Sequence, residues 1–224
     1  MNSNRKSYSW QRVNCSYEKG LYMRIERVES LDKRKCKVFT DEDFAFLLYN
    51  GELEKYGVCE GAVLEERTER ELLDLLSRRA HERALNLLKV QDRTEGEMCR
   101  RLFQDGYPDS IVQETIGFLQ EYHFVDDARY AANYLQVHGK RKSQAELELY
   151  LQRKGISREN IREQLEETEH DSGEAIRVLL EKKHYRAGET APEENKKIIA
   201  YLMRRGFSWA DIRREMKAKE DALG

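Results

Sequence analysis

Hydrophobic and polar positions are most clearly patterned over residues 143–165, SQAELELYLQRKGISRENIREQL, where a helix start, a helix stop and a second start follow one another. Ser143 and Glu146 have capping-box spacing: the hydroxyl satisfies one orphan amide and the carboxylate reaches back to another, so the spacing predicts a helix beginning there. Leu147, Leu149 and Leu151 with Tyr150 are its apolar positions. Gly155 ends it, because glycine adopts a left-handed backbone without strain. Ser157 then caps a second helix, in which Ile161 and Leu165, four apart, form one buried stripe.

The same design occurs twice more. Leu102, Leu151 and Leu202 stand four residues before Gly106, Gly155 and Gly206; Tyr107, Ile156 and Phe207 follow directly. Six residues past each glycine come Val112, Ile161 and Ile212, and ten past come Ile116, Leu165 and Met216. The glycines are 49 and 51 apart, which reads as a repeat of about 50 residues. One more helix-like segment precedes each pair, centred on Ala84, Ala128 and Ala175, so each unit has three helices. The predicted units are 67–125, 126–171 and 172–224.

Within the first unit, Thr68 with Glu71 marks the start of a long helix to about Lys89, and Thr94 with Glu97 opens the next, with Met98, Leu102 and Phe103 on its buried side. Pro108 suits the first turn of the third helix. In the second unit Asp126 is the expected N-cap, and Asp127 adds first-turn negative charge that complements the helix dipole. In the third, Thr190, Pro192 and Glu193 mark a second helix that begins 16 residues before its glycine instead of 12, one additional turn.

Ahead of the repeats the period changes. Residues 1–20 are polar, with Tyr8, Trp10 and Tyr17 isolated, and little order is expected there. Over 21–66, Met23 and Ile25 alternate with Arg24 and Glu26, SLDKRK makes a turn, and 36–39 and 44–46 are short strand-like pieces, a small antiparallel β meander. Its aromatic residues Phe39, Phe44, Phe46 and Tyr49 are expected in its own core and in its seat on the helices. Residues 50–56 read as a short helix closed by Gly57, with 58–64 extended. The fold class is therefore mainly α, tandem three-helix repeats after a small β meander.

Composition sharpens this. Only 39% of the 224 residues are hydrophobic and 37% are charged, which favours an elongated, curved array over a globule. A net charge of −2 argues against a protein whose only partner is bare DNA. The charge nevertheless alternates in blocks: six acids and no Lys or Arg over 102–128, eight bases and three acids over 129–162, six acids and no bases over 163–174, then twelve bases and six acids over 175–219. Whole-repeat alternation favours a polyelectrolyte or charged-protein partner. Cys15, Cys36, Cys59 and Cys99 are far apart, as are the five histidines, so reduced thiols and no metal site are expected. No run of ~20 apolar residues or N-terminal h-region is present, and a cytoplasmic, membrane-free chain is expected. No carboxylate pair, Ser/His/Asp set or Gly-rich phosphate loop stands out, so neither catalysis nor a cofactor is anticipated.

The segments LLKVQDRTEGEMCRRL, YHFVDDARYAANYL and AELELYLQRKGI, together with VFTDEDFAFLLYNGELEKYG, resemble the RecX family of regulatory proteins, over roughly residues 23–217. Where the family often has a Gly-Pro and an Arg-Ile pair before its central Glu-Leu, this chain has Gly139 followed by Lys140, Arg141, Lys142, Ser143, Gln144 and Ala145. The resemblance implies a monomeric protein that lies in the groove of a RecA filament on single-stranded DNA, touches several protomers, and limits filament growth, ATP hydrolysis and strand exchange. Candidate contacts are Arg153 and Lys154, Arg204 and Arg205, and Lys140, Arg141 and Lys142. The two pairs, as helix C-terminal cations, would also stabilise the dipole. Asp126, Asp127 and Arg129 resemble the family's marked block, and capping and a local ion pair explain them equally well. Two other readings stay open: a DNA-binding helix-turn-helix array, weakened by the lack of Lys or Arg after Gly106, and a helical-repeat scaffold for another protein.

Overall fold

A computed structural model describes residues 23–41, 45–168 and 170–222. The expectations for residues 1–20, including Cys15, and for Phe44 lie outside the described residues. The chain divides into two compact units, the first up to Leu72 and the second from Leu73.

In the first unit, β1 (Ile25–Ser30), β2 (Lys35–Thr40) and β3 (Ala45–Tyr49) form an antiparallel sheet in the order β1-β2-β3. Val28 faces Val38, and Val38 faces Phe46. Asp32 sets the first turn by accepting from the amides of Arg34 at 2.7 Å and Lys35 at 2.9 Å. Alternation buries Cys36, Val38 and Thr40 with Phe46, Leu48 and Ile25. Phe39 falls on the opposite face of the pleat, under the Arg27 guanidinium and the Lys37 ammonium, and Tyr49 is 43% exposed. Of the described aromatic residues assigned to this core, Phe46 alone fills it. Helix α1 (Asn50–Tyr56) ends at Gly57, whose φ of 62° is left-handed. Residues 58–64 meet the sheet through an isolated bridge, Arg24 to Val63, and form no strand of their own.

Helix α2 (Glu66–Leu88) starts before Thr68, which is therefore not its cap; Glu71 instead pairs with Arg67 one turn back at 3.1 Å. The helices that follow are α3 (Glu95–Gln104), α4 (Asp109–Glu121), α5 (Asp127–His138), α6 (Gln144–Lys154), α7 (Arg158–Glu167), α8 (Ser172–Lys182), α9 (Pro192–Arg204) and α10 (Trp209–Asp221), with a 3-10 turn at Gly139–Arg141. Three core clusters form, one for each trio of helices. Leu102, Leu151 and Leu202 are fully buried at their centres, with Val112, Ile161 and Ile212 beside them. Phe103 and Leu149, expected inside, are 39% and 50% exposed, one residue after and two before the buried leucine of their helix and so turned away from its apolar stripe.

Each central turn is the same device. Gly106, Gly155 and Gly206 have φ of 85°, 101° and 84°. The amides of Tyr107, Ile156 and Phe207 each donate back to the carbonyl of the buried leucine at 3.2 Å. That closure satisfies orphan carbonyls and sends the chain into the next helix. Thr94 and Ser143 cap α3 and α6 with full capping boxes. Helix α9 differs: Ala191 is its N-cap residue and makes no side-chain cap bond. Thr190 is drawn into a loop closure instead, its hydroxyl donating to the Arg186 carbonyl and accepting from the Arg186 amide, both at 2.8 Å.

Candidate partner-binding surface

The second helix of one repeat meets the glycine turn of the next. At the first such joint the Thr94 hydroxyl accepts from the Glu97 amide of its own helix and donates to the Lys154 carbonyl at 2.6 Å. That carbonyl is an orphan of the α6 C-terminus, and the Arg100 guanidinium donates to it at 3.2 Å as well. The Lys154 ammonium returns to Glu97 at 2.7 Å. The backbones touch: a Cβ built on Gly96 would lie 2.9 Å from the Gly155 Cα. Positive α3 N-terminus thus meets negative α6 C-terminus, a favourable alignment of helix dipoles.

The second joint repeats the first. The Ser143 hydroxyl, capping α6, donates to the Arg205 carbonyl at the end of α9, and the Arg205 guanidinium forks onto Glu146 at 3.0 and 2.9 Å. Hydrogen bonding to these carboxylates holds Lys154 and Arg205 above their ordinary basicity. Bidentate pairing of this kind is the stronger form of ion pair.

These contacts divide the candidate cations. Lys154 and Arg205 are half-buried and engaged in the joints, whereas their neighbours Arg153 and Arg204 are exposed and, among the described residues, have no hydrogen-bond or ion-pair partner. Arg141 is exposed on the 3-10 turn, and its carbonyl receives Arg205 at 3.5 Å. Lys140 pairs with Glu174 at 3.2 Å while staying 70% exposed. Lys142 donates to the Tyr134 hydroxyl and lies over the stacked rings of Tyr134 and Tyr150. The 3-10 turn and the Arg204–Arg205 pair therefore share one joint, and Arg153 occupies the equivalent place at the other.

The acidic motif is placed differently. Asp126 caps α5, accepting from the Arg129 amide at 2.9 Å. Arg129 sends its guanidinium to the His123 carbonyl at 3.1 Å, so it bonds a backbone group where an ion pair was expected. Asp127 reaches into the previous repeat and accepts from the Glu95 amide, the first residue of α3, at 2.8 Å. Burial raises the carboxyl pKa of both Asp127 and Glu95, and their mutual repulsion adds to the shift at Glu95. The joints themselves, Thr94 with Glu97 and Ser143 with Glu146, read in the sequence only as local caps. The signal for more was available: a hydroxyl and a carboxylate at fixed distance before one glycine, matched by a cation just before the next.

A family model described as "RecX, first three-helix domain" matches residues 80–119, and one described as "RecX, third three-helix domain" matches residues 171–216. A Regulatory protein RecX from Clostridium acetobutylicum is 26% identical over 202 residues, covering 86% of this chain and 94% of that protein. The chain is similar to RecX proteins over most of its length. A Bacillus licheniformis RecX is 28% identical over 189 residues, covering 80% of this chain and 70% of that protein. A crystal structure of regulatory protein RecX shares the fold with a TM-score of 0.58 at 21% identity, covering 87% of this chain and 99% of that chain. RecX from Lactobacillus salivarius gives 0.57 at 20%, over 66% and 97%. Among the described residues, no helix is long and apolar enough to cross a membrane.

Proposed function

We propose that the chain is a non-catalytic, cytoplasmic regulator of the RecA recombinase that binds as a monomer in the groove of the RecA filament on single-stranded DNA, limiting filament growth, ATP hydrolysis and strand exchange in recombination, DNA repair and the SOS response. The observation that carries this reading is the equivalence of Arg153 and Arg204: each repeat joint leaves one exposed, unpartnered arginine at the same position, 51 residues apart in the chain. A periodic partner matches a periodic set of cations, and several weak contacts made together give avidity that one does not. Lys140, Arg141 and Lys142 extend the cationic surface at the second joint.

The test is ATP hydrolysis by RecA on single-stranded DNA with this protein titrated from well below one copy per RecA. Inhibition at substoichiometric amounts is expected, and Arg153→Glu with Arg204→Glu weakens it without loss of helicity. No change in hydrolysis, with no filament binding, would move the reading to a scaffold for another protein. A second reading has one observation behind it: α10 exposes Arg213 and Lys217 without partners among the described residues, whereas α4 carries no Lys or Arg. Weak direct DNA contact then belongs to the later repeats, and binding to naked DNA as tight as to the filament would favour it.

A further inference from the structure

The first repeat, whose α4 is free of bases, carries three arginines immediately upstream that no charge block included. Arg93, Arg100 and Arg101 line one open depression of about 370 Å3 with Leu87, Glu97 and Gln104. The Nε–H groups of Arg93 and Arg101 are shielded from solvent and have no hydrogen-bond partner. Arg93 has no ion pair or hydrogen bond at all among the described residues. A shielded, unpaired guanidinium N–H is costly unless something accepts from it.

The acids nearby do not fill that role. Glu97 is taken by Lys154 at 2.7 Å, and Asp105 by Arg83 at 2.7 Å, with Arg101 behind at 3.4 Å. The depression therefore presents surplus positive charge and unused donors beside one apolar wall, Leu87, and one amide, Gln104. We propose that it is a phosphate site that takes the phosphate group of a nucleotide unit, with the Arg93 fork as its principal donor and Arg100 and Arg101 at its sides.

The donor count favours phosphate over carboxylate. A single guanidinium fork already satisfies both oxygens of a carboxylate, whereas three guanidinium groups around one depression suit the larger number of acceptor oxygens on a phosphate. Leu87 closes the depression with the edge of the first repeat's core, so its only apolar wall is small. The site lies on the first repeat and borders the first joint, since Glu97 and Arg100 line it and also engage Lys154, but Arg93 belongs to neither joint, and the proposal is independent of the filament reading.

Arg93→Gln is the clean perturbation, since the wild-type side chain makes no internal hydrogen bond or ion pair to lose. Binding of the full-length protein to a fluorescent oligothymidylate is measured by anisotropy across a salt series of about 50 to 200 mM, with inorganic phosphate, ATP and polyglutamate as competitors. The expected result is a several-fold loss of oligonucleotide affinity in Arg93→Gln and a log–log salt slope shallower by about 0.7, one single-strand phosphate contact. Arg93→Lys keeps the slope and recovers part of the affinity. Arg93-dependent competition by phosphate or ATP supports the site with a free phosphate compound as its source, and competition by oligonucleotide alone supports a strand. Equal affinity and slope in wild type and Arg93→Gln, no binding of any phosphate compound, or tighter Arg93-dependent binding of polyglutamate would each overturn the proposal, the last in favour of an acidic protein segment. RecA is absent from the measurement, so its failure and that of the filament reading are separate results.

Discussion

Gly96 and Gly117 provide a paired test of the joint between the first two repeats. Both are helical glycines at which alanine would ordinarily stabilise, by about 1 kcal/mol in a helix interior, through reduced unfolded-chain entropy and better propensity. Gly117, exposed in α4, has nothing within 4 Å of an added Cβ. Gly117→Ala should therefore gain close to the full amount. At Gly96 the methyl would sit 2.9 Å from the Gly155 Cα and 3.2 Å from the Lys154 carbonyl oxygen. Both are backbone atoms held by the Thr94 and Arg100 hydrogen bonds, and neither can swing aside as a side chain end could. Overpacking of that kind costs about 1–3 kcal/mol, which offsets the propensity gain and leaves a net loss of up to about 2 kcal/mol. For a chain of this size each kcal/mol moves the melting temperature by about 2–4 °C. Thermal denaturation should show Gly117→Ala above wild type and Gly96→Ala below it. Hydrogen exchange should localise the second loss to the facing ends of α3 and α6, because repeat proteins hold much of their stability in nearest-neighbour interfaces. A Gly96→Ala protein as stable as Gly117→Ala would refute the joint.

The other expectations concern the second joint. Arg205→Met and Glu146→Gln should each destabilise by about 1–2 kcal/mol, and a double-mutant cycle should show favourable coupling, because the half-buried fork is lost whichever partner goes; additive effects would mean the pair contributes nothing. Burial depresses the His170 pKa below its ordinary 6.5, with Asp171 opposing the shift weakly. The unfolded chain then takes up a proton first, so stability is full above pH 6.5 and falls as pH drops below it towards the folded value, and His170→Gln should flatten that decline in denaturant titrations. An unchanged pH profile would remove His170 as a contributor.

What could be read in advance was what is local. Capping boxes at Thr94 and Ser143, the left-handed glycines and the apolar positions at fixed distance from them depend on residues within one or two turns, and all formed. The misplacements have distinct causes. Thr190 had the right residue type for a cap, but its hydroxyl is used by Arg186 in a loop whose closure no helix pattern reveals. Phe39 follows strand alternation faithfully, yet a pleated strand has two faces and the pattern alone did not say which one was buried. Lys154 and Arg205 looked like free surface cations, since the partners that engage them, Glu97 and Glu146, are 57 and 59 residues away. Arg93, Arg100 and Arg101 fell just outside the charge blocks, and only the fold brings them around one depression.

Once the joints are known, the same alignment on the three glycines explains why the repeats are not interchangeable. Twelve, ten and nine residues before the glycine, the first repeat has Thr94, Gly96 and Glu97 and the second has Ser143, Ala145 and Glu146: a donor hydroxyl, a small residue where backbones meet, and an acid for the incoming cation. The third has Glu194, Lys196 and Lys197, already inside an earlier-starting helix. The receiving end is graded in the opposite sense: Lys154 and Arg205 precede the second and third glycines, but Asp105 precedes the first and pairs with Arg83 instead. Each repeat therefore carries the half of the joint its position requires. A repeat added after the third would meet two lysines with its own cation, and one added before the first would bring its acid against Asp105. Like charges placed where a half-buried ion pair belongs oppose docking. The joint chemistry thereby specifies the order of the repeats, and a repeat swapped from the first place to the third should fold without docking.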